Sequence, residues 1–312
     1  MNGVYFLHLA LALLLAPLFT GIINRVKARV AGRHGKPLLQ LYYDLFKLLR
    51  RGEARSTSST WVFAVAPGLG LAATLCALAL LPLGGAASPL RFQGDFFLAA
   101  YLLGLGRFAM ILAALDTASP FEGMGASREA CFSALAEPAL FLCFLTLANI
   151  AIGAAGGTAD APSLSLSSMF AGQAPAAWLS GRAELALIPV ALFALLLVEN
   201  CRIPADDPTT HLELTMIHEA MILDHSGPNL ALILYGAALK LWLFAGLTAG
   251  ILLPALPFWP GLLCHLVTMF VLAALVGLVE SVMARLRLVR VPRLIGGAGA
   301  LAALTLILSH VR

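Results

Sequence analysis

Residues 229–253 read NLALILYGAALKLWLFAGLTAGILL, and Lys240 is the only charged side chain in this run. The hydrocarbon core of a bilayer is about 30 Å thick, so a helix needs roughly 20 apolar residues to cross it. The run is therefore predicted to be a transmembrane helix. Seven other segments match or approach its length and composition, at residues 4–23, 61–83, 96–115, 130–153, 183–198, 261–284 and 294–311.

The composition of the whole chain agrees with a lipid environment. The chain has 312 residues, of which 60% are hydrophobic and 12% are charged, whereas a soluble domain is roughly 45–50% apolar and about 25% charged. The 20 basic and 16 acidic side chains are too few to cover the surface of a soluble protein of this length. These values exclude an ordinary soluble enzyme. They predict an all-α integral membrane protein, a single multi-pass domain over residues 1–312 with about eight transmembrane helices.

The cysteines are predicted to be small packing residues. Their number is odd and no two are spaced as C-x-x-C, and four of the five lie in apolar runs. A disulfide framework, a zinc site or an iron–sulfur site would show a regular cysteine spacing. We therefore expect no metal site and no cofactor in this chain.

Lysine and arginine are distributed unevenly over the connections between the predicted helices. Of the 20 basic residues, nine lie in the first connection, residues 24–60, and four lie in the connection before the last helix. Arg128 and Arg202 lie in the third and fifth connections, so 15 basic residues fall on one side of the membrane and three on the other. The positive-inside rule places these four connections in the cytoplasm and both termini outside. The expected location is the prokaryotic cytoplasmic (inner) membrane.

The first cytoplasmic connection contains an amphipathic pattern. Gln40, Asp44, Lys47 and Arg51 follow one another at spacings of four, three and four residues, and the residues between them are almost all apolar. These four side chains would form one narrow polar stripe on a helix. Such a helix is predicted either to lie along the membrane surface or to lie beneath a partner subunit.

Ionisable residues inside transmembrane segments are costly and are candidates for proton or ion sites. Glu199 lies at the cytoplasmic end of segment 183–198, and the others are Arg107, Glu137, Lys240, His265 and Glu280. A buried carboxyl group can hold a proton if burial and a basic neighbour set its pKa. The alternative is an acid–base pair that only joins helices, for example Glu137 with Arg107 or Lys240.

The connection at residues 199–228 is the most polar part of the chain. Asp207 followed by Pro208 is typical of a helix start, and Ser226-Gly-Pro is predicted to end that helix. His211, His218 and His225 recur every seven residues and would share one face. Consecutive histidines would lie about 10.5 Å apart along the axis, which is too far for three ligands of one ion. The pattern is compatible with proton handling by the histidines and Glu213, and equally with a polar helix that docks a soluble partner.

Two motifs resemble those of a known family. Glu199, Arg202, Pro204 and Asp206, followed by Glu213-Leu214, resemble the E-x-N-R-x-P-F-D-…-E-x-E-L signature of the membrane subunit that anchors respiratory complex I. Residues 115–129, LDTASPFEGMGASRE, resemble the third cytoplasmic connection of the hydrogenase branch, which includes the membrane subunit of formate hydrogenlyase and related group 4 nickel–iron hydrogenases. The helix predicted at residues 40–47 is similar to the first cytoplasmic helix of the family.

The resemblance implies roles for individual residues. Glu137 matches the helix 4 glutamate of the family, and Glu199, Asp206 and Glu213 match acids of the polar path that leads from the redox module into the membrane. With the other buried or polar groups, the predicted proton pathway comprises Glu137, Glu199, Asp206, Glu213, His211, His218, Lys240 and Glu280. Arg107 and Arg202, the latter matching the family's loop arginine, are predicted to be pairing charges. Partner docking is predicted for Gln40, Asp44, Lys47 and Arg128.

Two departures from the complex I pattern favour the hydrogenase branch. Ala205 stands where a phenylalanine is usual, and Thr209-Thr210-His211 stands where complex I has acids around its quinone chamber. The resulting hypothesis is a membrane anchor and coupling subunit without a cofactor of its own. Its expected partners are the large and small nickel–iron hydrogenase subunits, an iron–sulfur subunit, antiporter-like membrane subunits and the lipid bilayer, but no nucleic acid. The nickel–iron centre and the iron–sulfur clusters are expected in those partners.

Three other functions remain open at this stage. The first is a quinone-site anchor subunit of a complex I-type NADH dehydrogenase, with the quinone near Arg202 and the first loop. The second is a stand-alone ion-coupled transporter that uses Glu137 and Lys240. The third is a purely structural scaffold. Buried carboxyl groups serve H⁺ and Na⁺ equally, so the residues leave the transported ion open.

Overall fold

The computed structural model describes residues 2–84, 86–154, 164–170, 174–207, 216–254 and 256–311. The described residues form a bundle of helices. In chain order these are α1 (Asn2–Val30), α2 (Gln40–Leu49), α3 (Trp61–Ala79), α4 (Asp95–Asp116), α5 (Pro120–Ala154), α6 (Leu166–Ser168), α7 (Ala174–Leu179), α8 (Leu187–Glu199), α9 (His218–Met221), α10 (Gly227–Leu252), α11 (Phe258–Val282) and α12 (Val291–Val311).

Seven of the described helices are long and apolar enough to cross a bilayer, namely α1, α3, α4, α5, α10, α11 and α12. This confirms the prediction of an all-α integral membrane protein. The quoted run at residues 229–253 corresponds to α10, which begins two residues earlier. α2 lies inside the predicted first connection, and none of its residues is buried. α1 continues to Val30, so the first residues of that connection are helical.

The fifth predicted segment in chain order, residues 183–198, is shorter than a full transmembrane helix. α8 has 13 residues and follows a single 3₁₀ turn, Ala183–Ala186. The polar residues Ser180, Gly181 and Arg182 interrupt the apolar sequence before this turn, and Gly181 has a φ of +73°. Nine of the 13 residues of α8 are buried. A helix that is apolar on all sides belongs in the interior of a bundle, so α8 is a central helix surrounded by longer ones.

Two boundaries differ from the sequence prediction. α5 begins at Pro120 rather than near residue 130, because a proline fits the first helical position, where no backbone N–H is needed. Most of the predicted third connection is therefore helical. For the same reason Ser226-Gly-Pro begins α10 and does not end a helix. α9 ends at Met221, so His218 and His225 do not share one helix as predicted, while residues 208–215, with His211 and Glu213, lie outside the described residues.

The described parts of the four connections predicted to be cytoplasmic lie together at one end of the bundle, which we call the inner end. The first connection is bonded to the start of α10, because Ser226 and Ala54 exchange two hydrogen bonds. Asp116 at the end of α4 accepts hydrogen bonds from the backbone and hydroxyl of Thr60. Nη1 of Arg128 donates to the carbonyl of Met216 at 2.7 Å. These bonds join segments far apart in sequence into one surface.

A different set of contacts closes the opposite end, which we call the outer end. Asp95, at the start of α4, accepts hydrogen bonds from the hydroxyl of Ser165 at 2.6 Å and from the backbone N–H of Leu166 at 2.7 Å. Nε1 of Trp178 donates to the carbonyl of Ile251 at 2.7 Å. The outer end is therefore held by hydrogen bonds of backbone, hydroxyl and indole groups and of the buried Asp95 carboxylate, whereas the inner end carries the buried ion pairs.

Gly277 of α11 allows close packing against α1. A Cβ atom at this position would lie 2.9 Å from the carbonyl oxygen of Ile23 and 3.0 Å from Cβ of Val26. We expect Gly277→Ala to lower the stability of the purified protein by about 1–3 kcal/mol, because the two helices would have to separate. A lower melting temperature in detergent would show this.

Gly297 of α12 is the matched control, because a Cβ atom there would meet no other atom within 4 Å. Gly297→Ala should leave the melting temperature unchanged or raise it slightly, since alanine favours the helix by up to about 1 kcal/mol. Equal melting temperatures for the two variants would contradict close packing at Gly277.

Candidate functional site

A buried ion cluster lies near the inner end, where α4, α8 and α10 meet. Nη1 of Arg107 lies 2.6 Å from Oε1 of Glu199, and Nζ of Lys240 lies 3.0 Å from Oε2 of the same carboxylate. Lys240 also donates a hydrogen bond to the carbonyl oxygen of Glu199 at 2.6 Å. One carboxylate therefore binds two cations that come from two other helices.

The position of Glu199 in its helix suits this role. Glu199 is the last residue of α8, and the carbonyl groups at a helix C-terminus carry partial negative charge that favours a cation. Lys240 uses both the carboxylate and such a carbonyl. Arg107 and Lys240, which the sequence could equally have paired with Glu137, bind Glu199 instead. Glu137 lies partly exposed on α5, with its carboxylate near Gly104 of α4.

A cavity of about 120 Å³ adjoins the ion cluster. Several water molecules fit in this volume. Its walls come from α3, α4 and α10, which contribute Gly70, Gly106 and Gly236, and its polar lining includes Arg107, Glu129, Glu199, His218 and Lys240. The glycines leave room because they have no side chain. The cavity therefore places two cations and two carboxyl groups beside space that water can fill.

Glu129 is a site residue that the sequence prediction missed. It lies on α5 and lines the cavity, and its Oε2 lies 3.9 Å from Sγ of Cys201. The prediction assigned it to a cytoplasmic connection, because segment 130–153 seemed to start after it. Pro120 was the available signal, since a helix that starts there carries Glu129 about two turns into the bundle.

Asp206 organises the loop that follows α8. Its Oδ1 lies 2.7 Å from Nη2 of Arg285, and its Oδ2 accepts hydrogen bonds from the backbone N–H groups of Ile217 at 3.0 Å and His218 at 3.3 Å. Burial raises the pKa of this carboxyl group, while Arg285 and the backbone donors oppose that rise. Asp206 thus connects the loop before the undescribed residues to the loop after them.

Glu280 forms a second three-residue ion cluster. Its buried carboxylate lies 2.9 Å from Nζ of Lys27 and 3.4 Å from Nη1 of Arg202. These contacts join α11 to the end of α1 and to the loop after α8. Arg202, which was predicted to be a pairing charge, thus pairs with Glu280, which lies 78 residues away in sequence.

His218 begins α9 and lines the cavity. Burial, together with the positive charges of Lys240 and Arg202, lowers the pKa of its imidazole to about 4. The ring is therefore neutral at pH 7 and can accept a hydrogen bond. His211 and Glu213 lie outside the described residues, so their predicted roles in the pathway stay predictions.

The residues predicted to dock a partner lie at the inner end. Nε2 of Gln40 donates to Oδ1 of Asp44 at 2.9 Å on α2, and Lys47 is exposed in the last turn of that helix. Arg128 is bonded to the loop at Met216. Their docking role stays a prediction. In the part of the chain that the structure describes, no three histidine, cysteine, aspartate or glutamate side chains come together in a way that could hold a metal ion.

Comparison with known proteins identifies the family. The sequence matches the NADH dehydrogenase family over residues 3–310. The chain belongs to this family. The chain is 32% identical to formate hydrogenlyase subunit 4 of Escherichia coli (strain K12). The alignment spans 310 residues and covers 94% of each chain. It is 36% identical to hydrogenase-4 component C of the same organism, over 242 residues that cover 78% of this chain and 72% of the relative.

A solved structure shows that the fold is shared more widely. A chain of the membrane-bound sulfane sulfur reductase, an archaeal respiratory membrane complex, superposes with a TM-score of 0.78 and covers 98% of both chains at 20% sequence identity. The family predicted from the Glu199–Asp206 motif and from residues 115–129 is thus confirmed. The chain is an integral protein of the inner membrane.

The charge balance at Glu199 can be tested by a double-mutant cycle. Glu199→Gln leaves Arg107 and Lys240 without their shared carboxylate, and breaking a buried ion pair costs about 3–5 kcal/mol. We expect the single variant to melt at a clearly lower temperature in detergent. Adding Lys240→Met should recover part of the loss, because one uncompensated cation is removed. If the decreases in melting temperature of the two single variants simply added in the double variant, the interaction between Lys240 and Glu199 would be contradicted.

His225 predicts a pH dependence of stability. Its ring stacks on Phe63 with centroids 3.9 Å apart, and burial lowers its pKa from 6.5 to about 4. The unfolded chain therefore binds the proton more strongly, and stability is lost as the pH falls from about 7 towards about 4, by at most about 1.4 kcal/mol per pH unit. His225→Leu should flatten the slope of melting temperature against pH.

His34 supplies the matched control for this measurement, because it is exposed in the first connection. His34→Leu should leave the slope as it is in the unmodified protein. If the melting temperatures of His225→Leu and of the unmodified protein fell by the same number of degrees over this pH range, His225 would not contribute to the pH dependence of stability.

Proposed function

We propose that this chain is the membrane anchor and coupling subunit of a proton-reducing respiratory hydrogenase complex of the formate hydrogenlyase type. Its inner end docks the large and small nickel–iron hydrogenase subunits and an iron–sulfur subunit. Within the membrane it adjoins antiporter-like subunits. It links the redox chemistry of the soluble module to the movement of protons or sodium ions. The nickel–iron centre and the iron–sulfur clusters belong to the partners, and this chain holds no cofactor.

The relatives support the hydrogenase part of this proposal. The two relatives are named as a subunit of formate hydrogenlyase and as a component of a hydrogenase. Formate hydrogenlyase subunit 4 aligns over 94% of both chains. The similarity is therefore not confined to a common membrane segment. The archaeal structure with the same fold also comes from a respiratory membrane complex.

The observation that carries the coupling role is the buried ion cluster around Glu199 beneath the inner-end loops. Arg107, Lys240, Glu199 and Glu129 share one site that water can enter. Charges interact strongly in a medium of low dielectric constant. Movement of a charge or a loop in a docked redox module would therefore change the proton affinity of these carboxyl groups.

The inner-end loops connect a docked partner to this cluster. Asp206 and Glu280 hold the loop after α8 through Arg285 and Arg202. That loop continues directly from Glu199, so a displacement of its backbone would move the carboxylate. A partner on the inner end would in this way act on the cluster without entering the bundle.

A quinone-site anchor subunit of complex I type is the second candidate function. The cavity is lined largely by apolar residues of α3, α4 and α10, with charged groups at one end. Ligand pockets commonly combine an apolar wall with a few oriented polar groups. The same cavity could therefore receive a quinone ring.

Glu129→Gln in the purified complex tests the coupling role. The amide has the shape of the carboxyl group but cannot take up a proton. We expect the complex to assemble on the membrane and to evolve hydrogen, while ion uptake into proteoliposomes falls by at least about tenfold, as for removal of a proton-transferring group. Ser133→Ala, one turn further along α5, is the control and should leave ion uptake unchanged.

Four results would contradict the proposal. Hydrogenase activity that stayed membrane-bound in cells lacking this chain would exclude the anchor role. Electron transfer that required added quinone would favour the complex I type. Ion exchange catalysed by the chain alone in liposomes would indicate a stand-alone transporter. Unchanged ion uptake in Glu129→Gln would leave the chain as a scaffold only.

A further inference from the structure

A second polar cavity lies at the outer end, far from the ion clusters. Its volume is about 70 Å³, enough for several water molecules. It lies between the connection after α3, the end of α10 and the start of α11, and His265 forms part of its wall. The predicted topology places this cavity towards the outer compartment.

His265 is the buried polar group of this cavity. It lies two turns into α11 and is only 2% exposed, and its Nε2 has no hydrogen-bond partner among the residues that the structure describes. Buried polar atoms are nearly always hydrogen-bonded, to protein or to ordered water. Water in the adjoining cavity is therefore the expected partner of this nitrogen.

Among the residues that the structure describes, the other polar groups of the cavity belong to the backbone. Gly84, Gly250 and Gly261 line it, and a Cβ atom at Gly261 would lie 2.7 Å from the carbonyl oxygen of Gly84. The last turn of α10, around Gly250 and Leu253, also contributes to the wall. Carbonyl groups at a helix C-terminus lack intrahelical partners and carry partial negative charge. Gly261 belongs to the first turn of α11, and the N-terminus of that helix carries the opposite partial charge, so the two helix ends together make the lining polar and suited to water.

A second buried histidine lies beside this cavity. His8 of α1 is 4% exposed, its Nε2 also has no partner among the described residues, and it lines a small neighbouring cavity with Leu83 and Leu262. Leu262 lies one turn before His265 on α11. Among the described residues that line the two cavities, His8 and His265 are the titratable groups.

The cavity ends at an apolar layer on its inner side. Gly246 of α10 approaches Nε2 of His265, since a Cβ atom there would lie 3.9 Å away, and the next residue of α11 on the same face, Met269, is fully buried. Phe244 and Trp242 of α10 are fully buried as well. A solute that enters from the outer end would therefore stop at His265.

We propose that this cavity is a water-filled pocket that opens to the outer compartment and ends at His265. The pocket is built from residues that take no part in the inner-end cluster. It therefore does not depend on the hydrogenase assignment.

Thiol labelling in the intact complex tests this pocket. In a chain whose native cysteines are replaced, His265→Cys is exposed to membrane-impermeant methanethiosulfonates of positive or negative charge, from either side of sealed vesicles. Met269→Cys, one turn deeper, is the buried control. Leu90→Cys, which is exposed at the outer end, and Ser56→Cys, which is exposed at the inner end, report sidedness and the intrinsic reactivity of each reagent.

We expect the cationic reagent, added outside, to label His265→Cys at least about tenfold faster than Met269→Cys, which reacts only through local opening. From the inner side, either reagent should label Ser56→Cys and leave His265→Cys unlabelled.

Labelling of His265→Cys no faster than that of Met269→Cys, or only from the inner side, would overturn the pocket. If His265→Cys failed to assemble, Leu256→Cys at the partly exposed rim of the pocket would replace it, with the same expectations.

Discussion

The pairing of buried carboxylates with cations inside an apolar bundle is the constraint on which the inner half of this protein depends. Three buried carboxylates, Glu199, Asp206 and Glu280, bind the five cations Arg107, Lys240, Arg285, Lys27 and Arg202. An unpaired charge in such surroundings costs several kcal/mol. Because each carboxylate binds partners from other helices or loops, the ion pairs fix how α1, α4, α8, α10 and α11 lie relative to one another.

The two ends of the bundle have different chemistry. The inner end combines carboxylates, cations and hydrogen-bonded loops, and a change in a docked partner would be felt there as a change in charge balance. The outer end is built from backbone carbonyls, hydroxyl groups, two buried imidazoles and the hydrogen-bonded carboxylate of Asp95. Apolar side chains of α10 and α11, such as Phe244 and Met269, separate them. The membrane interior of this chain is therefore insulating, and polar access from each end stops short of the other.

Much of the fold followed from the sequence, because lipid imposes a simple length and composition rule on each helix. The prediction succeeded for α10 and for six other long helices. It failed where the deciding signal was local. Pro120 starts α5 ten residues earlier than hydropathy indicates, and this hid Glu129 in a supposed loop. The Ser180-Gly-Arg interruption shortens α8. The helix is nevertheless accommodated, because most of its residues are buried among the longer helices of the bundle.

The sequence by itself determined that lipid is the solvent of this chain, which connections carry the positive charge, and, through the Glu199–Asp206 motif, which family it belongs to. Only the tertiary structure decided which acid binds which base. Arg107 and Glu199 are 92 residues apart, and Arg202 and Glu280 are 78 residues apart. Hydropathy and spacing describe each helix alone. The pairing of buried charges depends on distances between helices, which exist only once the bundle has packed.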